Sequence, residues 1–317
     1  MSVLILVIGG QLAAPSVVKK RETLLVATQP AAPRLRGHVE MLAATIGERN
    51  LWSYGALERA AEYISTQLAT SGYTPRRQTF ELAKLPLSNV EALLEGTTHA
   101  AESIVVGAHY DTVVACPGAN DNATGVSAVL ELAQRFSGRR QPRTIRFVAF
   151  VNEEPPFFQT AHMGSAVYAN AARSRGDRVL GMLSLETMGY YSEEKGSQRY
   201  PEPIAALYPD VGNFIGFVSN LASVRLLLRA RRAFRRRTAF PLQSAAVPAA
   251  IPGVGWSDHW AFWQAGYAAM MVTDTAPFRY PWYHTAEDTP DKIDYDRLAQ
   301  VIDGLEGVIE SIAGPTR

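Results

Sequence analysis

Seven acidic or imidazole side chains in this 317-residue sequence fall where a polar loop follows a run of strand-forming residues. His109 and Asp111 close IVVGAHYD, Asp121 stands twelve residues after His109 in PGANDNATG, and Glu153 and Glu154 are adjacent after TIRFVAFV. Glu186 ends MLSLE, and His284 lies in YHTAEDTP shortly after AAMMVT. Ligand sites of open α/β sheets form at the carboxyl ends of strands, so several ends each delivering an acid or a histidine point to one site. Singly, each residue has an ordinary alternative: a satisfied core histidine for His109, a helix N-cap for Asp121, an exposed pair for Glu153 and Glu154. Their joint placement after successive strands favours a site.

Histidine and carboxylate donors without thiolates suit zinc in a catalytic position, where one coordination place stays open for water or substrate. The single cysteine, Cys116, is read as a small packing residue, and one cysteine excludes both a thiolate zinc cage and an intramolecular disulfide. A carboxylate can bridge two metal ions about 3.5–4 Å apart. Neighbouring residues at a strand end point different ways, so one of two adjacent glutamates can ligate metal while the other serves as general base. Asp111, two residues beyond His109, can accept the proton on the other imidazole nitrogen and fix the tautomer.

These side chains need elements to hold them. Leu57, Ala60, Ala61, Ile64 and Leu68 recur at helical spacing between Gly55 and Ser71, Gly72 ends that helix, and Thr79–Leu82 reads as extended. Ser103–Gly107, Thr144–Val151, Val179–Leu185 and Ala268–Thr273 read as buried strands. A helix is expected over Ala123–Phe136, capped by Asp121 or Asn122, and a terminal one from about Asp296 to Ile312. The alternation predicts an α/β sandwich around a mostly parallel sheet. Tyr190–Ala250 breaks this rhythm and is read as an irregular insert. It contains Arg225, Arg229, Arg231, Arg232, Arg235, Arg236 and Arg237, read as a solvated helix face with Val224, Leu227, Leu228 and Phe234 turned inward.

The balance of 31 Lys+Arg against 30 Asp+Glu, with 47% hydrophobic residues, excludes a disordered chain. It also argues against a nucleic-acid partner held by overall charge. Val3 to Val18 is an apolar run followed by Lys19, Lys20 and Arg21. Its length suits a signal-peptide core and falls short of the roughly 20 residues of a membrane span, and it lacks a basic leader. Residues 1–30 are therefore read as a signal or membrane-anchor segment of an exported or membrane-anchored protein. The alternative is a strand or short buried helix in a cytoplasmic one.

Taken in order, GAHYDT, PGANDNATG, FVNEE, SLETMG, SDHWAFW and YHTAEDTP resemble the motifs of metallopeptidase family 28. That is the co-catalytic zinc aminopeptidase family, whose relatives include carboxypeptidases and glutaminyl cyclases. The resemblance covers roughly Leu51 to Ile312 and implies a single catalytic α/β domain over residues 31–317, with a mixed central sheet between helices. It implies two zinc ions, or one in a cyclase-like enzyme. His109 would bind one zinc, Asp121 would bridge both, and Glu154 with His284 would hold the second. Glu186 would complete the first site where the family usually has aspartate, and its extra methylene moves the carboxylate by roughly 1.5 Å. Glu153 would be the general base acting on a metal-bound water, and Asp258 of SDHW would hydrogen-bond near the site. His259 is the reserve ligand.

The expected reaction is hydrolysis of N-terminal bonds in a peptide or other amide substrate. A glutaminyl cyclase and a non-catalytic binding relative are the alternatives. Tyr190, Tyr191, Tyr200, Phe278, Tyr280, Trp282 and Tyr283 are expected pocket aromatics.

Overall fold

The computed structural model describes residues 31–200 and 207–314 together with the backbone of Leu6–Val7. Its strands are β1 (Leu6–Val7), β2 (Arg76–Leu82), β3 (Leu85–Leu94), β4 (His99–His109), β5 (Arg143–Phe150), β6 (Arg178–Glu186), β7 (Ile215–Ser219), β8 (Leu242–Ala246) and β9 (Ala269–Thr273). They form one mixed sheet in the order β1-β8-β7-β9-β6-β4-β5-β3-β2. The centre, β5-β4-β6-β9, is parallel throughout. Antiparallel pairing enters on its flanks, at β3–β5 and β7–β9. The carboxyl ends of β4, β5, β6 and β9 consequently lie along one edge, where the loops carrying the candidate residues begin.

The helices are α1 (Ala31–Val39, continued by a wider turn through Ile46), α2 (Tyr54–Thr70), α3 (Thr124–Phe136), α4 (Gly164–Arg175), α5 (Val224–Arg237), α6 (His259–Gln264), α7 (Ala276–Arg279) and α8 (Tyr295–Ala313). Side chains alternate across a strand, and this alternation divides the core. Ile104 and Val106 of β4 join the larger core with α1, α2, α3, α5 and α8. Val105 between them faces the other layer, against Tyr168 and Ala169 of α4, Phe262 of α6 and Ala265 just after it. Among the described residues no helix is long and apolar enough to cross a membrane.

The helices expected after Gly55, after Ala123 and near Asp296 form as α2, α3 and α8, and the four expected strands are β4, β5, β6 and β9. Two expectations need correcting. The stretch read as an irregular insert contains β7, α5 and β8, which extend the sheet beyond β9. In α5, Leu228 points outward at 41% exposure, and Leu226 takes the inward place instead. Most of the Val3–Val18 segment lies outside the described residues, and Leu6–Val7 pairs antiparallel with Ala246 and Ala245 of β8.

Candidate metal centre

Three strand ends and two loops bring the candidate side chains together. His109 is the last residue of β4 and Glu186 the last of β6, while Glu153 and Glu154 follow β5. Asp121 sits in a loop entering α3, and its non-helical backbone (φ −112°, ψ 90°) holds it off that helix. Each Asp121 oxygen faces a different imidazole: Oδ1 lies 3.2 Å from His109 Nε2 and Oδ2 lies 3.1 Å from His284 Nε2. Glu186 Oε2 is 3.4 Å from His109 Nε2, and Glu154 Oε2 is 3.4 Å from His284 Nε2. Glu153 Oε2 stands 3.8 Å from His109 Nε2.

This donor set fits a divalent cation. His109 Nε2, Asp121 Oδ1 and Glu154 Oε1 are buried without a hydrogen-bond partner among the described residues. Unpaired buried polar atoms are costly, and metal bound in this cluster would satisfy them. His109, Asp121 and Glu154 offer ligand atoms within 4.8 Å of one another. The tautomer of His109 also fits. Its Nδ1 lies 3.2 Å from the Asp111 carbonyl, which can only accept, so the neutral ring carries its proton there and turns a lone pair inward.

The supporting contacts differ from the sequence expectation at Asp111. Its carboxylate is 3.7 Å from His109 Nδ1, outside hydrogen-bond range, and does not take the imidazole proton. Instead its two oxygens accept from the backbone N–H groups of Glu153 (3.0 Å) and Glu154 (3.1 Å). Asp111 thus orients the glutamate pair while its carbonyl orients His109. Glu186 Oε2 accepts from Ser257 Oγ at 2.7 Å, and Ser257 Oγ lies 2.7 Å from Ser184 Oγ. Asn122, not Asp121, caps α3: its Oδ1 accepts from Gly125 N at 3.0 Å.

Two residues that the sequence reading left out hold the Asp121 loop. Buried Asp288 accepts from the N–H groups of Asn120 (2.8 Å) and Asp121 (3.1 Å) and from the Tyr280 hydroxyl (2.8 Å). Arg49, fully buried, donates to the carbonyls of Leu42, Gly47, Tyr110, Pro117 and Gly118 at 2.6–3.1 Å. Asp288 could have been found as the acid four residues after His284 in the same polar motif. Arg49 carried no signal in the sequence.

So many buried acids distort one another's titration in the metal-free chain. Burial pushes Glu154 up to about 7 with help from Asp121, against the opposing pull of His284. Glu153 rises well above the carboxylate range through burial and the charges of Glu154, Glu186 and Asp258, with His109 opposing. Asp121 goes the other way: burial would raise it, but hydrogen bonds from both histidines hold it below the usual range. Burial opposes charge on His284, yet Asp121 and Glu154 carry it up to about 10.

Asp258 is fully buried, and burial pushes it up to about 7 against the opposing charge of His109, but neither oxygen has a hydrogen-bond partner among the described residues. His259 is turned away from the centre, with Nε2 2.7 Å from the Val254 carbonyl and its ring against Trp263. Cys116 is buried, its thiol pushed up to about 12 mainly by burial, in keeping with a packing role. An apolar cavity of about 100 Å³ opens beside Glu186 and Tyr283, walled by Tyr200, Tyr208, Phe214, Trp256 and Phe278. Of the expected pocket aromatics, Tyr200, Phe278 and Tyr283 line it, while Tyr191 and Tyr280 are buried in packing and Tyr190 and Trp282 lie tilted and edge-on against Tyr280.

Comparison with known proteins shows the fold and the family. The protein YfbL of Escherichia coli, described as uncharacterized, is 36% identical over 292 residues, covering 87% of this chain and 88% of its own. Aminopeptidase YwaD of Bacillus subtilis is 30% identical over 210 residues, which are 63% of this chain and 39% of YwaD. Among solved structures, a zinc aminopeptidase from Bacillus subtilis superposes with a TM-score of 0.73 at 17% identity, over 90% of this chain and 95% of that one. A glutaminyl cyclase from Fimbriiglobus ruber gives 0.65 at 19% identity, over 92% and 99%. These two likenesses show a shared fold. Residues 89–309, well over half of the chain, match peptidase family M28, and the protein belongs to that family.

Proposed function

We propose that the protein is a zinc-dependent exopeptidase, an aminopeptidase that hydrolyses N-terminal peptide bonds. The observation that carries this reading is Asp121, whose two oxygens face two histidines, each with its own glutamate. His109, Asp121 and Glu186 would hold one zinc, and Asp121, Glu154 and His284 the other. Zinc bound there supplies Lewis acidity, acidifying water and stabilising negative charge on the scissile carbonyl oxygen. Glu153 belongs to neither set and has its carboxylate at the edge of the cluster. It takes a proton from the attacking water and returns it to the departing amine, a role its raised pKa suits.

The cavity beside Glu186 receives the apolar side chain of the N-terminal residue. Glu186 lines that cavity as well as the cluster, so an α-ammonium held there meets a carboxylate. Zinc content per chain, measured on protein purified without chelator, tests the reading together with release of a chromogenic group from aminoacyl anilides. Near two zincs, with hydrolysis abolished by chelator, is the expected result. Glu153→Gln should keep both ions while turnover falls about 10²–10⁴-fold. One zinc without hydrolysis would instead favour cyclisation of an N-terminal glutamine.

A further inference from the structure

The arginine helix takes no part in the metal centre. α5, VRLLLRARRAFRRR, carries seven arginines and no acid in 14 residues. Its inward face is Leu226, Leu227, Ala230, Ala233 and Phe234. Phe234 seats over Gly304 of α8, where an added Cβ would come within 2.2 Å of the ring. The outward face is not simply polar. Leu221, just before the helix, and Leu228 are 43% and 41% exposed, and Arg225, Arg232, Arg235 and Arg236 are exposed around them. At 100° per residue the five of these positions inside α5, Arg225, Leu228, Arg232, Arg235 and Arg236, fall within a sector of roughly 100°. They form one stripe of four arginines around Leu228, with Leu221 exposed just before it.

The charges on this stripe are largely unanswered. Arg237 pairs with Glu306 at 3.2 Å, Arg229 is tied to Ser311, and Arg235 reaches the Leu242 carbonyl at 3.4 Å. Among the described residues Arg225, Arg232 and Arg236 have no hydrogen-bond or ion-pair partner. A face shaped for solubility alone intersperses both signs and keeps leucines rare. A cluster of four or more exposed basic side chains on one face of an amphipathic helix is the pattern that meets anionic lipid headgroups. Single-stranded nucleic acid is held by exposed aromatics that stack on bases, and this stripe has none. β1, the described part of the apolar N-terminal segment, pairs with β8, the strand into which α5 leads. That part and the basic helix therefore share one edge of the sheet.

We propose that the outward face of α5 docks the protein on an anionic lipid surface, with Arg225, Arg232, Arg235 and Arg236 meeting headgroup phosphates and Leu221 and Leu228 entering the interface. The test is co-sedimentation of the full chain with vesicles of phosphatidylcholine alone or mixed with phosphatidylglycerol. Binding should require the anionic lipid and weaken as salt rises. The triple change Arg225→Gln, Arg232→Gln and Arg236→Gln should weaken it on the order of 100-fold, about 5-fold per arginine. Leu221→Ser with Leu228→Ser should weaken vesicle binding while leaving binding to a short DNA duplex unchanged. Both variants should keep the native circular dichroism spectrum and anilide hydrolysis, since every changed residue is exposed. Equal binding to neutral vesicles would overturn the proposal, because the N-terminal segment would then be the membrane contact. So would unchanged binding by the triple variant, or tighter binding of the duplex than of the vesicles, which would make the face a nucleic-acid surface.

Discussion

Arg49 is a fully buried guanidinium whose partners are all backbone carbonyls. One planar group joins the turn after α1, the Tyr110 carbonyl between His109 and Asp111, and the loop that ends in Asp121. Burial lowers its pKa to about 10, with Cys116, Asp288, Asp111 and Asp121 opposing, so it remains a cation beneath an acid-rich centre. Arg49→Met should cost on the order of 3 kcal/mol or more by leaving these carbonyls unpaired. It should also weaken zinc binding about 10–100-fold, because the Asp121 loop loses its clamp. Urea unfolding of the zinc-free protein reads the first effect and chelator competition the second. Arg49→Lys matching the native protein in both would show that the charge alone suffices and the forked geometry does not matter. Ser257 acts at the same scale on Glu186. An ionised carboxylate only accepts, so Ser257 donates to Glu186 and accepts from Ser184. Ser257→Ala should lower the affinity for one of two zinc ions about 10–100-fold and spare the other, as read by zinc stoichiometry at limiting metal.

Elements place these residues by ending abruptly. Asn152, Thr187 and His284 are non-glycine residues in the left-handed region, at φ of 59°, 41° and 59°. Each lies at or beside a candidate ligand or base, and such backbone strain of about 1–3 kcal/mol is characteristic of functional sites. Gly118 serves the same purpose in the Asp121 loop. Its φ is +65°, and a Cβ there would lie 2.3 Å from Thr112 Cγ2 and 2.4 Å from the Asp121 carbonyl. Gly118→Ala should therefore abolish zinc binding, whereas Gly138→Ala, at φ +70° with nothing within 4 Å, should cost only about 1 kcal/mol and leave zinc content unchanged. Equal behaviour of the two variants would mean that the loop yields. The strand ends were legible in the sequence because β4, β5, β6 and β9 are short apolar runs followed by polar loops. β7 and β8 were not, because five-residue strands beside a run of arginines give too little periodicity to register. The same arginines concealed which leucine of α5 faces outward. The cluster was visible as residue types in order, and Asp288 stood in the same polar motif as His284, but Arg49 acts through backbone carbonyls that no side-chain pattern announces.

At the scale of the whole molecule, the centre is a store of protons as well as a set of ligands. In the metal-free chain the neighbouring carboxylates carry His284 up to about 10 and raise His109 well above its ordinary value, each against the opposing effect of burial, so both rings favour the protonated form. A raised histidine pKa favours the folded state fully below about 6.5, and that contribution is lost as pH climbs through the folded value. The raised carboxyls work in the same direction: Glu154 and Asp258, both near 7, favour the protonated native state and withdraw that support as pH rises from about 4. Each of these four groups makes the zinc-free fold weaker with rising pH. Zinc requires neutral imidazoles and ionised carboxylates, so its binding expels protons and its affinity climbs as pH rises between about 7 and 9. The melting temperatures of zinc-loaded and zinc-free protein should therefore diverge as pH rises across this window. Calorimetric titration in buffers of different ionisation enthalpy counts the released protons directly. A proton count near zero would mean that the histidines are already neutral in the free protein. The Asp121 bridge would then be held by the fold alone, without the charge pairing that joins it to His109 and His284.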